Sequence, residues 1–248
     1  MKILTLIPAR LNSSRFPRKP LKKIFKHSMI LEVYKNVSKC KLLKDIFVAT
    51  CDEEIFDHVT LNNGKAIMTS KLHQRASDRC AEALHKIERK KKIKYDVVLM
   101  VQGDEPLVNS KMIEQSLKPF KNNKKVNVVN LVGKIDKKEA INKDCIKVVK
   151  NKFNDALYFT RTLIPSGIQN GGFYLKQICI IPFRRDFLKR YINLKPTFLE
   201  KLESIDMLRI LENGYNVKLV ETKEVSIPVD RKEDILKVRK YLIKKLKK

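Results

Sequence analysis

Residues 3–7 read Ile-Leu-Thr-Leu-Ile, and after Pro8 the chain passes straight into Ala9-Arg10-Leu11-Asn12-Ser13-Ser14-Arg15-Phe16-Pro17-Arg18-Lys19-Pro20-Leu21. A run this short and this apolar predicts a buried strand rather than a helix. The loop behind it carries four cationic side chains, Arg10, Arg15, Arg18 and Lys19. Basic loops elsewhere on a chain predict solvent. A basic loop fixed to the carboxyl end of a buried strand predicts an anion site, because that end is where open α/β sheets bind ligands.

The rest of the chain follows the same grammar. Strands are expected at Ile3–Ile7, Ile46–Thr50, Ala66–Thr69, Val97–Val101, Val126–Leu131, Ile146–Val149, Ala156–Phe159, Ile178–Pro182 and Val217–Val220. Helical spacing fits Ile30–Cys40, Ala76–Ile87, Ser110–Phe120, Arg184–Tyr191, Pro196–Asn213 and Arg231–Leu246. Strand and helix alternate through the first half. That predicts an α/β fold with a doubly wound, mostly parallel sheet. The 248 residues read as one domain over 1–248, with a strand-rich sub-region from about 122 to 183.

The formal net charge of +27 is the best argument for a nucleic-acid partner. Its distribution argues against one. Lysines fall in runs between and after elements, at 90–92, 121–125 and 244–248 among others, without zinc-finger spacing or basic strands interleaved with aromatics. A Lys-rich surface inherited from biased composition is the preferred reading, and its field could still help attract an anionic substrate. The five cysteines are scattered and include no Cys-x-x-Cys pair, against a disulfide framework or zinc site. The chain shows neither an apolar run of transmembrane length nor a signal-peptide layout, and a cytoplasmic protein is expected.

Three loops carry candidate chemistry. Gln102-Gly103-Asp104-Glu105-Pro106 follows the strand at 97–101, so Asp104 is suited to hold Mg²⁺ beside phosphates, and Gly103 allows another backbone to approach. Asp230 follows Ile227-Pro228-Val229 and stands three residues before Glu233, the spacing of a helix capping box. Only pairing with Asp104 around one metal would make it more than a cap. The first loop supplies arginine forks and a lysine point charge for a triphosphate, with Ser13 and Ser14 as further donors. It is no Walker loop, and no Gly-x-Gly-x-x-Gly or Ser-His-acid set is visible, so kinase, hydride-transfer and covalent readings lack support. His73 to Arg79 leads into a helix, where it is equally a base-reading loop or a cap. Tyr158-Phe159-Thr160-Arg161 ends a strand on a cation suited to a second anionic substrate. Glu200, Glu203 and Asp206 share a helix face at three-residue spacing, as surface ion pairs or as partners for sugar hydroxyls.

These residues are also where a family resemblance lies. Ile7 to Leu21, Val48-Ala49-Thr50, Val101 to Leu107, Val148-Val149, Ala156 to Arg161, Ile164-Pro165, Leu199-Glu200, Leu208 to Gly214 and Val229-Asp230 resemble, in order along nearly the whole chain, the 3-deoxy-manno-octulosonate (Kdo) cytidylyltransferases. The resemblance implies a Rossmann-like nucleotidyltransferase fold with a smaller sugar-binding and dimerisation portion. It implies Mg²⁺-dependent transfer of CMP from CTP to an acidic 3-deoxy sugar by a homodimer, feeding lipopolysaccharide assembly. By the same resemblance, Ala9, Arg10, Arg15, Lys19, Ser77, Arg79 and Gln102 would bind CTP, and Asp104 and Asp230 the metal. Arg10, Lys19, Asp104 and Asp230 would carry the chemistry, and Gln102, Arg161, Gln177, Glu203 and Asp206 would face the sugar.

The chain departs from the family pattern at several positions. Arg18 replaces a usual Gly, Cys51 an aspartate and Gln177 a sugar-contacting His, and Cys179 and Met207 also differ. The phosphate and metal motifs are thus kept better than the sugar motifs. Kdo is the expected acceptor, with 8-amino-Kdo or another 3-deoxy acid as the alternative. A nucleic-acid-binding module derived from such a fold is the alternative of another class.

Overall fold

β1 (Ile3–Ala9) is buried at every residue and runs two residues past Ile7, through Pro8, to pair Ala9 with Thr50. In a computed structural model, which describes residues 1–12, 15–167 and 172–246, a single 3₁₀ turn at Lys19–Leu21 follows β1. Next come α1 (Met29–Ser38), β2 (Asp45–Thr50), α2 (Glu53–Leu61), β3 (Ala66–Met68), α3 (Ala76–Lys91), β4 (Val97–Val101) and α4 (Ser110–Asn122). The chain goes on with β5 (Val129–Ile135), α5 (Lys137–Ala140), β6 (Lys147–Lys150), β7 (Ala156–Thr160), β8 (Tyr174–Ile178) and β9 (Ile180–Arg184). It ends with α6 (Arg185–Tyr191), α7 (Phe198–Glu203), α8 (Asp206–Glu212), β10 (Lys218–Thr222) and α9 (Lys232–Leu246).

The chain forms two compact units. One is Met1–Glu114 with Val225–Lys248, and the other is Gln115–Glu224. The strand-rich stretch at 122–183 falls inside the second.

In the first unit β3, β2, β1 and β4 lie side by side in that order, all parallel. β4 is buried along its whole length, and α1 and α3 bury apolar faces that include Val33, Val37, Ala83 and Leu84. This is the parallel α/β arrangement that buried strands joined by crossover helices require. A separate apolar cluster gathers Phe16, Ile24, Met29, Leu107, Val229, Ile235 and Val238. Phe16 belongs to the basic loop, Leu107 to the loop after β4, and Val229 to the segment before α9. One small core therefore anchors three loops that lie far apart in sequence.

In the second unit the sheet order is β10-β5-β8-β6-β7. Only β10 with β5 is parallel, and the other neighbours run antiparallel.

The differences from expectation have local causes. α2 buries only Ile55 and Val59, too few for the periodicity to show. The strand expected at Ile178–Pro182 is two strands that part at Cys179, and the one expected at Val126–Leu131 starts at Val129. The helix expected at Pro196–Asn213 breaks at Ser204, which takes a left-handed φ of 54°. Arg209 Nε and Nη2 each donate to a carboxylate oxygen of the buried Glu200 at 2.8 Å. Nine residues make about two and a half helical turns, so one straight helix would put these partners on opposite faces. The break brings them together. Glu200, Glu203 and Asp206 consequently do not form a strip on one helix.

Candidate active site

β1 delivers Ala9, which is buried, and Arg10, which is exposed and donates from Nη1 to the Gln74 carbonyl at 3.4 Å. The loop beyond is closed by its own backbone: Arg18 N–H donates to the Leu11 carbonyl at 3.1 Å. Asp52, just past β2, accepts Leu11 N–H at 2.8 Å and holds the loop from below. Ser13 and Ser14 lie outside the described residues. Arg18 sits at φ 56°, a left-handed conformation that glycine adopts without penalty. Its guanidinium turns to Glu54 in the first turn of α2, and its side chain is 53% exposed. It adds no charge at the two carboxylates described next.

Lys19 lies at those carboxylates. Its Nζ is 2.8 Å from Asp104 Oδ2, 4.0 Å from Asp230 Oδ1, and donates to the Val229 carbonyl at 2.8 Å. Arg15 Nη2 donates to Asp230 Oδ1 at 2.8 Å. Asp104 and Asp230 come together because Val229 N–H donates to the Asp104 carbonyl at 2.9 Å and both loops rest on the Phe16–Leu107–Val229 cluster. Ser226 Oγ donates to the buried Glu105 at 2.8 Å and ties the same two loops again. Gly103 explains the close approach. A Cβ there would stand 3.0 Å from the Pro8 carbonyl oxygen and 3.3 Å from Ile30 Cδ1. Gln102 is half-buried, and its carbonyl accepts Glu105 N–H at 3.1 Å.

The capping-box reading of Asp230 and Glu233 does not hold. Asp234 Oδ2 accepts N–H from both Asp230, at 3.1 Å, and Arg231, at 2.9 Å, and so closes the start of α9. Burial pushes the Asp234 carboxyl up, but hydrogen bonds from Lys237 and these two N–H groups outweigh that and lower it. Asp230 Oδ1 meets Arg15 and Lys19.

The donors here suit Mg²⁺. Two carboxylates and a carbonyl already surround one cationic centre, the Lys19 ammonium, and all are hard oxygens of the kind this ion takes. Among the described residues no group of three or more His, Cys, Asp or Glu forms a metal cage. Two carboxylates are a donor set that Mg²⁺ commonly takes together with phosphate oxygens and water.

The segment before α3 is organised by Arg79 and Glu82. Arg79 is 3% exposed and donates to Thr69 Oγ1 at 2.5 Å and to the Ser70 and His73 carbonyls at 3.5 Å. It therefore shapes the loop from within. His73 Nε2 lies 2.5 Å from Glu82 Oε2. Burial raises the Glu82 carboxyl, while hydrogen bonds from Lys86, Ser70 N–H and His73 overcome this and bring it down to about 2. Ser77, in the first turn of α3, is buried, and its Oγ lacks a partner among the described residues.

The second unit holds the residues expected at the sugar. Glu203 accepts Thr160 Oγ1 at 2.6 Å and Arg161 N–H at 2.9 Å. Its carboxylate thus clamps the end of β7. Gln177 Nε2 donates to Asn130 Oδ1 at 2.5 Å. The buried Asn130 spends its own Nδ2 on the Leu131 and Ile178 carbonyls, at 2.8 and 2.9 Å, which orients both amides. Asp206 opens α8, where its carbonyl accepts Tyr191 OH at 3.1 Å. Sequence reasoning missed Asp52, Asn130 and Asp234. Asp52 carried a signal, a carboxylate at a strand's carboxyl end. Asn130 carried none, because its task depends on the register of β5 with β8.

A cytidylyltransferase family model matches residues 4–232. A 3-deoxy-manno-octulosonate cytidylyltransferase from Fusobacterium nucleatum is 42% identical over 244 residues, covering 98% of this chain and 97% of that protein. The chain belongs to the 3-deoxy-manno-octulosonate cytidylyltransferase family. Another member, from Flavobacterium johnsoniae, is 38% identical over 247 residues, with 98% and 99% of the two chains covered. Among solved structures, CMP:2-keto-3-deoxy-manno-octonic acid synthetase complexed with CTP superposes with a TM-score of 0.89 at 34% identity, covering 99% of this chain and 100% of that one. The Rossmann-like nucleotidyltransferase fold expected from the resemblance is the fold of this family.

Proposed function

We propose that this chain transfers CMP from CTP to 3-deoxy-manno-octulosonate, releasing pyrophosphate. The observation that carries the reading is the pairing of Asp104 and Asp230 around Lys19, in a chain that matches a CTP-bound synthetase along its full length. Asp104 and Asp230 would hold Mg²⁺. That ion, when bound, supplies charge neutralisation at the triphosphate and a lowered pKa for a coordinated hydroxyl. Lys19 and Arg15 then exchange carboxylate partners for phosphate oxygens, and Arg10 adds a third cation. These charges stabilise pyrophosphate as the bond from α-phosphorus to its bridging oxygen breaks and the bond to the sugar's anomeric oxygen forms. No protein nucleophile is needed, and positioning of the two substrates lowers much of the barrier. Ala9, Ser77 and Gln102 are assigned to the nucleotide, with Arg79 acting through the loop it shapes.

Arg161, Gln177 and Asp206 are assigned to the acid sugar, with Glu203 holding Arg161. The oriented Gln177 amide supports an acceptor side that stays neutral where the family's His titrates. Homodimer formation is supported by Phe198 and Leu202, one turn apart on α7 and 71% and 66% exposed. We assign the product to lipopolysaccharide assembly, as in the family, and the protein to the cytoplasm. That compartment agrees with five free cysteines and with the absence of any membrane-spanning helix among the described residues. The test is pyrophosphate release by purified protein with each of CTP, UTP, ATP and GTP against Kdo, 8-amino-Kdo and a nonulosonic acid. Release with CTP and Kdo above all other pairs is expected. Preference for another base or acid would refute the assignment.

A further inference from the structure

Lys147, the first residue of β6, is wholly buried, and the reaction proposed above gives it no task. Its ammonium donates to three backbone carbonyls: Asn142 at 3.0 Å, Cys145 at 2.7 Å and Arg161 at 2.6 Å. An ammonium has three N–H donors, and each has one acceptor. A buried charge held only by neutral dipoles is costly, and an apolar side chain would pack such a site more cheaply. Burial accordingly lowers the pKa of Lys147, as does Arg161, against the Cys145 thiol and Glu203, which raise it.

What the ammonium achieves is to join two pieces of chain, the turn at 142–145 and the residue that follows β7. The Arg161 guanidinium rests on one of the same pieces. Its Nη1 donates to the Lys143 carbonyl at 3.1 Å, its Nε to the Glu203 carbonyl at 2.9 Å, and its Nη2 to the Ser204 carbonyl at 3.5 Å. The Glu203 carboxylate goes instead to Thr160 Oγ1 and the Arg161 backbone N–H. Among the described residues, then, the guanidinium's acceptors are neutral carbonyls. Its orientation is fixed while its charge is not cancelled by a carboxylate at hydrogen-bond distance. A half-buried, oriented arginine of this kind suits a carboxylate ligand, which it can meet with a two-pronged fork.

We infer that Lys147 is a positioning residue for the acidic sugar, holding the 142–145 turn and the Arg161 backbone so that the guanidinium meets the substrate carboxylate. This rests on the reading that the second substrate is a 3-deoxy acid. The charge of Lys147 also reinforces the positive potential at Arg161, which an apolar residue of the same size would not do.

The test is steady-state kinetics of Lys147→Met, Arg161→Ala and the double variant with CTP and Kdo, alongside thermal unfolding of each. Lys147→Met raises KM for the sugar about tenfold and leaves KM for CTP within about twofold. In the Arg161→Ala background the same substitution adds less than about twofold. A lysine that merely supports the fold lowers kcat with the folded fraction and moves neither KM. That result, or full additivity with Arg161→Ala, overturns the inference. If Lys147→Met does not fold, Lys147→Arg carries the test, because its larger head group displaces the three carbonyls while keeping the charge. An unchanged sugar KM in that variant overturns the inference. Wild-type pyrophosphate release that does not depend on the acid sugar refutes the functional reading itself, before any variant is compared, and the inference falls with it.

Discussion

Arg18 and Lys19 are adjacent, equally cationic and opposite in use. Lys19 reaches Asp104, while Arg18 occupies a left-handed turn and reaches Glu54. Arg18→Gly should therefore leave turnover within about twofold and stability within about 1 kcal/mol, since relief at the backbone offsets loss of an exposed ion pair. Pyrophosphate release and a denaturant melt check it. Asp104→Asn keeps the shape but removes the charge that Mg²⁺ needs, so turnover should fall about 100-fold or more with the fold intact. Circular dichroism beside the kinetic assay separates the two effects. Lys19, Asp104 and Asp230 were legible in the sequence because they sit at the carboxyl ends of apolar runs or just before a helix. Local spacing alone made Asp230 a cap with Glu233, whereas Asp234 accepts the N–H groups there, and the pairing of Asp230 with Asp104 was implied only by the family resemblance. Roles set by tertiary partners, such as the burial of Arg79 beneath its own loop, leave no local pattern to read.

Among elements, the long apolar ones were legible and the short ones were not. β1, β4 and α3 announce themselves by period and burial. α2 and the α7–α8 break depend on contacts made elsewhere, above all the Glu200–Arg209 pair. The loops proposed to hold the nucleotide rest on the apolar cluster of Phe16, Leu107 and Val229. Phe16→Ala should cost about 3 kcal/mol and weaken CTP binding as the basic loop loses its anchor. Calorimetric titration with CTP alongside a urea melt would show both. The loop before α3 is pH-sensitive in a defined direction. The folded pKa of Glu82, about 2, lies below the ordinary carboxyl value, so its stabilisation is complete above that ordinary value and is lost as pH falls toward 2. Glu82→Gln should destabilise at neutral pH by on the order of 1–3 kcal/mol, a difference that shrinks steadily below about pH 4.5. Melts across that range test it.

For the whole molecule the net charge of +27 acts as a field rather than as a fold determinant. Both substrates are anionic in the proposed reaction, so KM for each should rise with ionic strength while kcat stays nearly constant. A salt series on the steady-state assay measures this. The architecture was legible because alternating strands and helices admit few solutions, and the order of motifs along the chain pointed to the family. The acceptor was less legible, since the departures at Gln177, Cys179 and Met207 fall in motifs that the resemblance assigns to the sugar and their effect depends on partners such as Asn130. In the proposed reaction CMP moves from CTP to 3-deoxy-manno-octulosonate at a site built on Asp104, Asp230 and Lys19. The most direct measurement is the mass spectrum of the product formed by purified protein from CTP, Mg²⁺ and Kdo. CMP-Kdo and an equal amount of pyrophosphate are expected, with neither formed when Kdo is omitted or Mg²⁺ is chelated. Pyrophosphate or CMP released without a CMP–sugar adduct would contradict it.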